Sequence, residues 1–385
     1  MNTSTNDWKI PLYRIFTDEE DIKIVEKVIR RGTDWALGPE ISEFENNIKN
    51  YVGTDFCVAF NSGTSALHAT YLAYDLGHGD EIIIPSFSFV ATANSTMFVN
   101  AIPKFADIEE TNFGLDPTLL SNSITSKTKA IVPMDYGGLS CKISEIKKIA
   151  RDNNLILIED AAESLGSSSY GQKVGSVSDS SIFSFCGNKV LTTGEGGAVV
   201  TNSKEIYEKL KLIRSHGRLD DTNYFNSSKS STYLGVGYNW RMSSLVAALG
   251  ISQISKLDKI IKLRQQNAQI ISNKLSSIPE IITPKTSTNY ENIFQMYTIQ
   301  LSDEKLRNDL QKFLESKKIL SKIYFEPIHQ MDFYKNSLDK NDTLPITEKI
   351  SKTVLTLPIF PNMTKEEINY LSESIHEFFE NNYRQ

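Results

Sequence analysis

Cysteine is scarce in this chain: Cys57, Cys141 and Cys186 are the three among 385 residues. They are far apart and odd in number, which excludes a disulfide framework and gives no zinc-ligand spacing, so they read as buried reduced thiols. No stretch of about 18 apolar residues occurs, and the N-terminal MNTSTNDWKIPLYRIF has neither a positive start nor an apolar run behind it. The chain is therefore expected in the cytoplasm, without membrane contact. Basic blocks are missing as well. With 41 basic and 47 acidic residues the net charge is −6, so nucleic acid is not an expected partner. Nucleotide fingerprints are also lacking: there is no G-x-x-x-x-G-K-[ST]. TGEGGAV fails as a dinucleotide loop because Val199 stands at the third glycine position counted from Gly194, and the stretch leads into a strand. The five histidines form no H-E-x-x-H pair, and no metal is expected.

What is present is a pattern of alternating strands and helices. A chain of this length exceeds the usual single core, and 40% hydrophobic with 23% charged residues is the composition of an ordinary globular protein. DEEDIKIVEKVIRRG, with Ile22, Val25, Val28 and Ile29 at helical spacing and Gly32 as a stop, reads as an opening amphipathic helix. EIIIPSF, AIPKFADI, TKAIVPMD, LILIED, SIFSF and GGAVVT read as strands. Runs this apolar are buried on both faces, as in a parallel or mixed sheet covered by helices. CKISEIKKIARDNN and KEIYEKLKLIRSHG supply helices between them. From Ser243 to about Ile278 a long helical pattern follows, mildly interrupted at Gly250. Beyond Pro279 come a strand (FQMYTIQL), a helix (EKLRNDLQKFLESKK), another strand (SKIYFEPI) and a last helix from near Thr364. Residues 1–250 are expected to form a large α/β domain, and residues 251–385 a connecting helix with a smaller α+β domain.

In open α/β sheets ligands sit at the carboxyl ends of the strands, so the polar residues just after each apolar run carry the chemistry. After FCVAF come Asn61, Ser62, Gly63, Thr64 and Ser65 at the start of a helix, where free N–H groups and hydroxyls suit a phosphate. A plain helix cap is the ordinary reading of the same residues. After EIIIP come Phe87 and Phe89, able to stack on a flat ring or to pack in a core. After LILIE comes Asp160, a carboxylate that needs a partner. After SIF come Ser184 and then Lys189, which alone is a solvated charge but among small residues can serve as a nucleophilic amine. Together the four places point to one ligand, pyridoxal 5′-phosphate, whose aldehyde joins a lysine and whose ring nitrogen is held protonated by an acid.

NSGTSALHA, PSFSFVATANS, EDAAESLG, FSFCGNKVLTTGEGGAVVTN and GYNWRMSSLVAALGISQISKLD resemble, in this order, the DegT/DnrJ/EryC1/StrS sugar aminotransferases. The resemblance runs from about Trp8 to LPIFPNMTKEEI. It implies the fold type I of pyridoxal phosphate enzymes, aspartate aminotransferase-like: a mixed, mostly parallel seven-stranded sheet in a large domain, plus a smaller C-terminal α+β domain. It implies Lys189 as the Schiff-base lysine, Asp160 at the pyridine nitrogen and Glu163 beside the ring hydroxyl, a position often held by Gln. Gly63, Thr64, Ser65 and Ser184 match the phosphate contacts, and Phe89 matches the stacking aromatic, with Phe87 as second choice. Asn239 in GYNWRM matches the residue that reaches the phosphate of a neighbouring subunit's cofactor, which makes a homodimer with shared sites the expected active unit. Tyr136, Arg241 and His329 fall in segments that the family brings to the substrate cleft; a packed tyrosine, a surface ion pair and a satisfied core histidine are their structural readings. The loop Thr33–Glu40 matches the family's substrate-side N-terminal loop.

The presence of Lys189, rather than the histidine of the family's dehydratases, implies transamination. Glutamate is the expected donor, leaving as 2-oxoglutarate, and a nucleotide-linked 4-keto-6-deoxy sugar the expected acceptor, with Lys189 carrying protons as base and acid. GNK-x-x-TTGEGG resembles the perosamine synthase type, whereas MDYGGLSCKI resembles members acting on UDP- or dTDP-linked sugars, so the nucleotide stays open. A C3 sugar aminotransferase, a keto-cyclitol aminotransferase and a non-catalytic relative are the alternatives.

Overall fold

Side chains alternate across a strand, so a strand covered on both faces must be apolar at every position. In Phe56–Phe60 (β1) Val58 and Phe60 face one core while Cys57 and Ala59 face another. The same split holds for Glu81–Pro85 (β2), where Ile82 and Ile84 oppose Ile83. The computed structural model describes residues 8–218, 228, 232–338 and 343–383. It adds Ile102–Ala106 (β3), Thr128–Ile131 (β4), Ile156–Asp160 (β5), the short Ser168–Ser169 (β6) and Gln172–Lys173 (β7), then Ser180–Ser184 (β8) and Gly197–Thr201 (β9). The 7-stranded sheet has the order β1-β9-β8-β5-β4-β2-β3. β9 runs antiparallel to both its neighbours, and the other pairings are parallel. The carboxyl ends of six strands thus share one edge, and the amino end of β9, with its glycines, joins them there.

Helices cover both faces. Glu19–Arg31 (α1) is capped by Asp18 with Asp21 answering at its third position, and it ends on left-handed Gly32 at φ 75°. Of its apolar stripe Val28 is buried, whereas Ile22 and Ile29 stand 60% and 50% exposed. Pro39–Val52 (α2) buries Phe44 and Ile48 beneath the sheet. Gly63–Ala73 (α3), Val90–Phe98 (α4), Pro117–Ser123 (α5), Ile143–Asp152 (α6) and Lys204–Arg214 (α7) follow the strands as their connections.

The long helical pattern is two helices, Ser244–Ser255 (α8) and Leu257–Leu275 (α9). The break falls at Lys256 and not at Gly250, which lies inside α8 against the Phe44 ring. Lys256 leaves helical geometry to bring its ammonium to Asp18 and Asp21, 2.6 and 2.8 Å away. The first turns of α9 pack Leu257, Ile260 and Ile261 into the sheet's core, and Ala268, Ile271 and Leu275 join a separate one. That second core holds Tyr297–Gln300 (β11) paired antiparallel with Val354–Leu357 (β12), together with Glu304–Ser316 (α10) and Lys365–Tyr383 (α13). Tyr290–Glu291 (β10), Asp332–Leu338 (α11) and Pro345–Thr353 (α12) complete the described elements. The strand expected over SKIYFEPI does not form. It is reduced to a bridge between Lys322 and Thr356, because the Tyr324 carbonyl turns to accept the Tyr136 hydroxyl instead.

Candidate active site

Asp160 closes β5, and three residues later the chain brings Glu163 to the same edge. The Lys189 amine, in the loop after β8, lies 3.2 Å from Glu163 Oε1. Glu163 Oε2 accepts the Gly137 N–H at 3.0 Å, so both of its oxygens are engaged. Both side chains are largely shielded, at 14% and 6% exposure, where an ion pair is stronger than at a wet surface. Asp160 Oδ2 accepts the Thr92 hydroxyl at 2.8 Å and Oδ1 the Ala162 N–H at 3.3 Å. Burial pushes its carboxyl above the usual range, against the opposing Thr92 and Ala162 bonds and the Lys189 charge. A buried carboxyl in this state gains most from a cationic N–H placed beside it.

At the start of α3, Ser62 caps the Ser65 N–H at 3.1 Å, and helix geometry leaves the N–H groups of Gly63 and Thr64 without an intrahelical acceptor. Gly63 keeps the approach close: a Cβ there would lie 3.0 Å from Ser184 Cβ, tighter than an ordinary contact, so glycine lets the helix terminus close on the end of β8 without displacing Ser184. The Ser65 hydroxyl is anchored to Asn61 Oδ1 at 2.6 Å. The result is a cluster of N–H and hydroxyl donors at a positive helix end, suited to a phosphate. Phe89 caps α4 with its ring 58% exposed and 6.4 Å from the Phe325 ring. Phe87 is fully buried and stacks on Tyr136.

The remaining candidates lie further out. The buried Tyr136 hydroxyl donates to the Tyr324 carbonyl at 2.5 Å, and its ring borders a cavity of about 220 Å³. His329 is buried between Ser86, whose Oγ is 2.6 Å from Nδ1, and Glu348, 3.3 Å from Nε2. Arg241 pairs through its backbone with Phe60 and donates to Ser215 Oγ at 3.3 Å, next to the α3 terminus. Asn239 is exposed, its backbone bridged to Ser215, and its chain neighbours Tyr238 and Trp240 stack their rings on each other. Sequence reasoning missed Thr92, Gly137 and Gln295. Thr92 stands inside a quoted motif, yet no local period marks a residue whose partner is 68 positions away.

The arrangement meets the demands of pyridoxal phosphate: donors for a phosphate at α3 and β8, a buried acid for a ring nitrogen, an exposed aromatic on the rim and a shielded amine. Among the described residues no cluster suited to a metal ion occurs, and no helix is long and apolar enough to cross a membrane. The model of the DegT/DnrJ/EryC1/StrS aminotransferase family matches residues 16–376. The chain is 35% identical over 342 residues to the GDP-perosamine synthase of Caulobacter vibrioides, covering 88% of this chain and 90% of that protein. It is 32% identical over 374 residues to the UDP-4-amino-4,6-dideoxy-N-acetyl-beta-L-altrosamine transaminase of Campylobacter jejuni, covering 94% and 96%. Among solved structures, Helicobacter pylori PseC, an aminotransferase involved in the biosynthesis of pseudoaminic acid, matches with a TM-score of 0.91 at 29% identity, covering 97% of this chain and 99% of that one. The fold is that of the type I pyridoxal phosphate transferases. The chain belongs to the DegT/DnrJ/EryC1/StrS aminotransferase family and is a pyridoxal-phosphate-dependent aminotransferase of sugar biosynthesis.

Proposed function

We propose that the enzyme moves the amino group of glutamate to the C4 ketone of a nucleotide-linked 4-keto-6-deoxy sugar. The observation that carries the catalytic part is the shielded Lys189 amine, held 3.2 Å from Glu163 near the buried Asp160. The names of the two curated relatives, a perosamine synthase and a 4-amino-4,6-dideoxy sugar transaminase, support the C4 position. They differ in nucleotide, GDP against UDP.

When bound, pyridoxal phosphate supplies an electron sink for the pair left by proton removal next to the transferring nitrogen. Gly63, Thr64, Ser65 and Ser184 would hold its phosphate, Asp160 its ring nitrogen and Glu163 the ring's hydroxyl side, with Phe89 as the aromatic that would stack on it. Lys189 removes the proton from the donor carbon and returns it to the acceptor carbon. Tyr136, Arg241 and His329 border the substrate. The active unit in this reading is a homodimer in which Asn239 reaches the partner's phosphate site, and the exposed Ile22, Ile29 and Val236 belong to surface that a second copy would cover.

The test is turnover of the loaded enzyme with glutamate and a panel of GDP-, UDP- and dTDP-linked 4-keto-6-deoxy sugars, alongside 3-keto sugars and keto-cyclitols. Formation of 2-oxoglutarate with a 4-keto sugar supports the reading. Turnover confined to the 3-keto or cyclitol acceptors overturns it.

A further inference from the structure

Gln295 stands in Asn292–Met296, the irregular stretch between β10 and β11, and is 6% exposed. Its carboxamide spans the peptide units on either side of Lys189. Nε2 donates to the Asn188 carbonyl at 2.8 Å, and Oε1 accepts the Val190 N–H at 2.8 Å. One planar group thus holds both chain neighbours of the lysine, which fixes where the Lys189 Cα sits and the direction in which its side chain leaves.

The same stretch also holds the partner of the amine. The Ile293 N–H donates to the Gly138 carbonyl and the Met296 N–H to the Gly137 carbonyl, each at 3.0 Å. The Gly137 N–H then holds Glu163 Oε2, and Glu163 Oε1 faces the Lys189 amine. The contacts close into a ring from Gln295 through Lys189, Glu163 and Gly137 to Met296. Gly138, at φ 97°, has no room for a Cβ, which would lie 2.7 Å from the Gln295 nitrogen. Phe294 takes a left-handed φ of 50°, a conformation that costs free energy and persists where the surroundings impose it.

Arg264 imposes it. From α9 its Nε donates to the Phe294 carbonyl at 2.8 Å and its Nη2 to the Gln295 carbonyl at 2.9 Å. The guanidinium is 3% exposed, and burial pulls its pKa down to about 9. A cation buried against two carbonyls is a costly way to hold a loop, and the loop so held is the one that carries Gln295.

We propose that Gln295 is a positioning residue for transamination: its carboxamide, set by Arg264, aligns the Lys189 amine with the Glu163 carboxylate. The proposal rests on the reading of Lys189 given above.

The test compares the loaded enzyme and the apoprotein of three variants. Gln295→Met keeps the side-chain length and removes both hydrogen bonds. It lowers kcat, and the rate at which added pyridoxal phosphate becomes covalently linked to Lys189, by about 10- to 100-fold, since a shift of about 1 Å is enough for such losses. Both KM values stay near the parent's. The linkage is read by borohydride trapping and mass spectrometry, independently of turnover. Gln295→Glu provides a second reading, because only the protonated carboxyl reproduces the amide's donor and acceptor together. Its kcat relative to the parent is highest at the acid end of the working range and declines as the introduced carboxyl ionises.

Parental kcat and trapping rate in Gln295→Met, whatever its unfolding temperature, would overturn the proposal and leave Gln295 a structural tie. If that variant does not fold, a pH-independent ratio for Gln295→Glu overturns it instead. Lys189→Ala separates the two readings. It traps no cofactor if Lys189 is the linked amine. Trapping at the parental level there would remove the premise, whereas a lost linkage beside an unaffected Gln295→Met would strike the positioning role alone.

Discussion

The Lys189 ammonium and the Glu163 carboxylate meet at 3.2 Å, and the second Glu163 oxygen takes the Gly137 N–H at 3.0 Å. One carboxylate therefore ties the reactive lysine to the loop after β4. Glu163→Gln keeps an acceptor for Gly137 but removes the charge facing Lys189, whereas Glu163→Ala removes both. Urea unfolding of the apoprotein is expected to rank parent above Gln above Ala, with each step on the order of 1–3 kcal/mol for a buried polar group left without its partner. Equal stabilities for the Gln and Ala variants would show that the Gly137 contact carries nothing.

Asp160 is held from below by Thr92 and faces the site as a buried acid whose carboxyl is raised by burial. Asp160→Asn keeps the shape and removes the charge that would hold a protonated ring nitrogen. A fall in kcat of about 10² or more is expected, the scale of losing one preorganised electrostatic contact. Thr92→Val removes only the supporting bond and is expected to lower kcat less than Asp160→Asn. Steady-state kinetics with saturating cofactor check the order, and a Thr92→Val enzyme as impaired as Asp160→Asn would contradict it.

Close approach of backbone to backbone builds the phosphate end. A Cβ on Gly197 would lie 2.5 Å from the Ser62 carbonyl and 2.6 Å from the Gly63 nitrogen, atoms that move only if the whole turn moves. Gly197→Ala is expected to cost about 1–3 kcal/mol of stability, as overpacking does, and to weaken pyridoxal phosphate binding by displacing the α3 terminus. Gly187→Ala is the matched control. It adds a Cβ in the lysine loop with its nearest atom 3.9 Å away, and a change within about 0.5 kcal/mol is expected. Differential scanning calorimetry and a cofactor titration on both variants decide. Matching behaviour of the two would sink the argument.

The parts of the site that sequence made legible are those where one strand end carries its own chemistry. Asp160, Ser184, Lys189 and the Asn61–Ser65 turn each follow an apolar run, and parallel pairing of those runs brings their ends to one edge without further information. Gln295 gave no such signal. It lies between Phe294 and Met296 in a segment read as plain strand, and its partners Asn188 and Val190 are 107 and 105 positions away. SKIYFEPI looked like a strand for the same reason: side-chain pattern does not reveal that Tyr136 claims the Tyr324 carbonyl. The Lys256 break was hidden because a lysine in a helical pattern reads as solvated, and only the fold supplies Asp18 and Asp21.

Directly before Tyr136 and Gly137, Asp135 is buried with Glu159 among the charges that act on its carboxyl. Asp135 Oδ1 accepts the Cys141 N–H at 2.8 Å, and Glu159 Oε2 accepts the Gly175 N–H and the Ser181 hydroxyl, each at 2.9 Å. The other oxygen of each, Asp135 Oδ2 and Glu159 Oε1, is buried without a donor, and a proton held between the two carboxyls would satisfy both. Glu159, with more donors around it, is the member expected to ionise first, with Asp135 keeping the proton. Burial, then the Glu159 charge, holds Asp135 well above the ordinary carboxyl range, and burial also raises Glu159. A carboxyl raised on folding stabilises the native state most below its unfolded pKa of about 4, and that contribution is lost as pH rises through the folded value. Asp135→Asn retains an acceptor for Cys141 and a donor for Glu159 but has no proton to lose. Its unfolding temperature relative to the parent is therefore expected to improve as pH rises from about 4 through the parent's raised folded value. Thermal unfolding of both proteins across that range checks the slope, and a difference that stays constant with pH would rule out the shared proton.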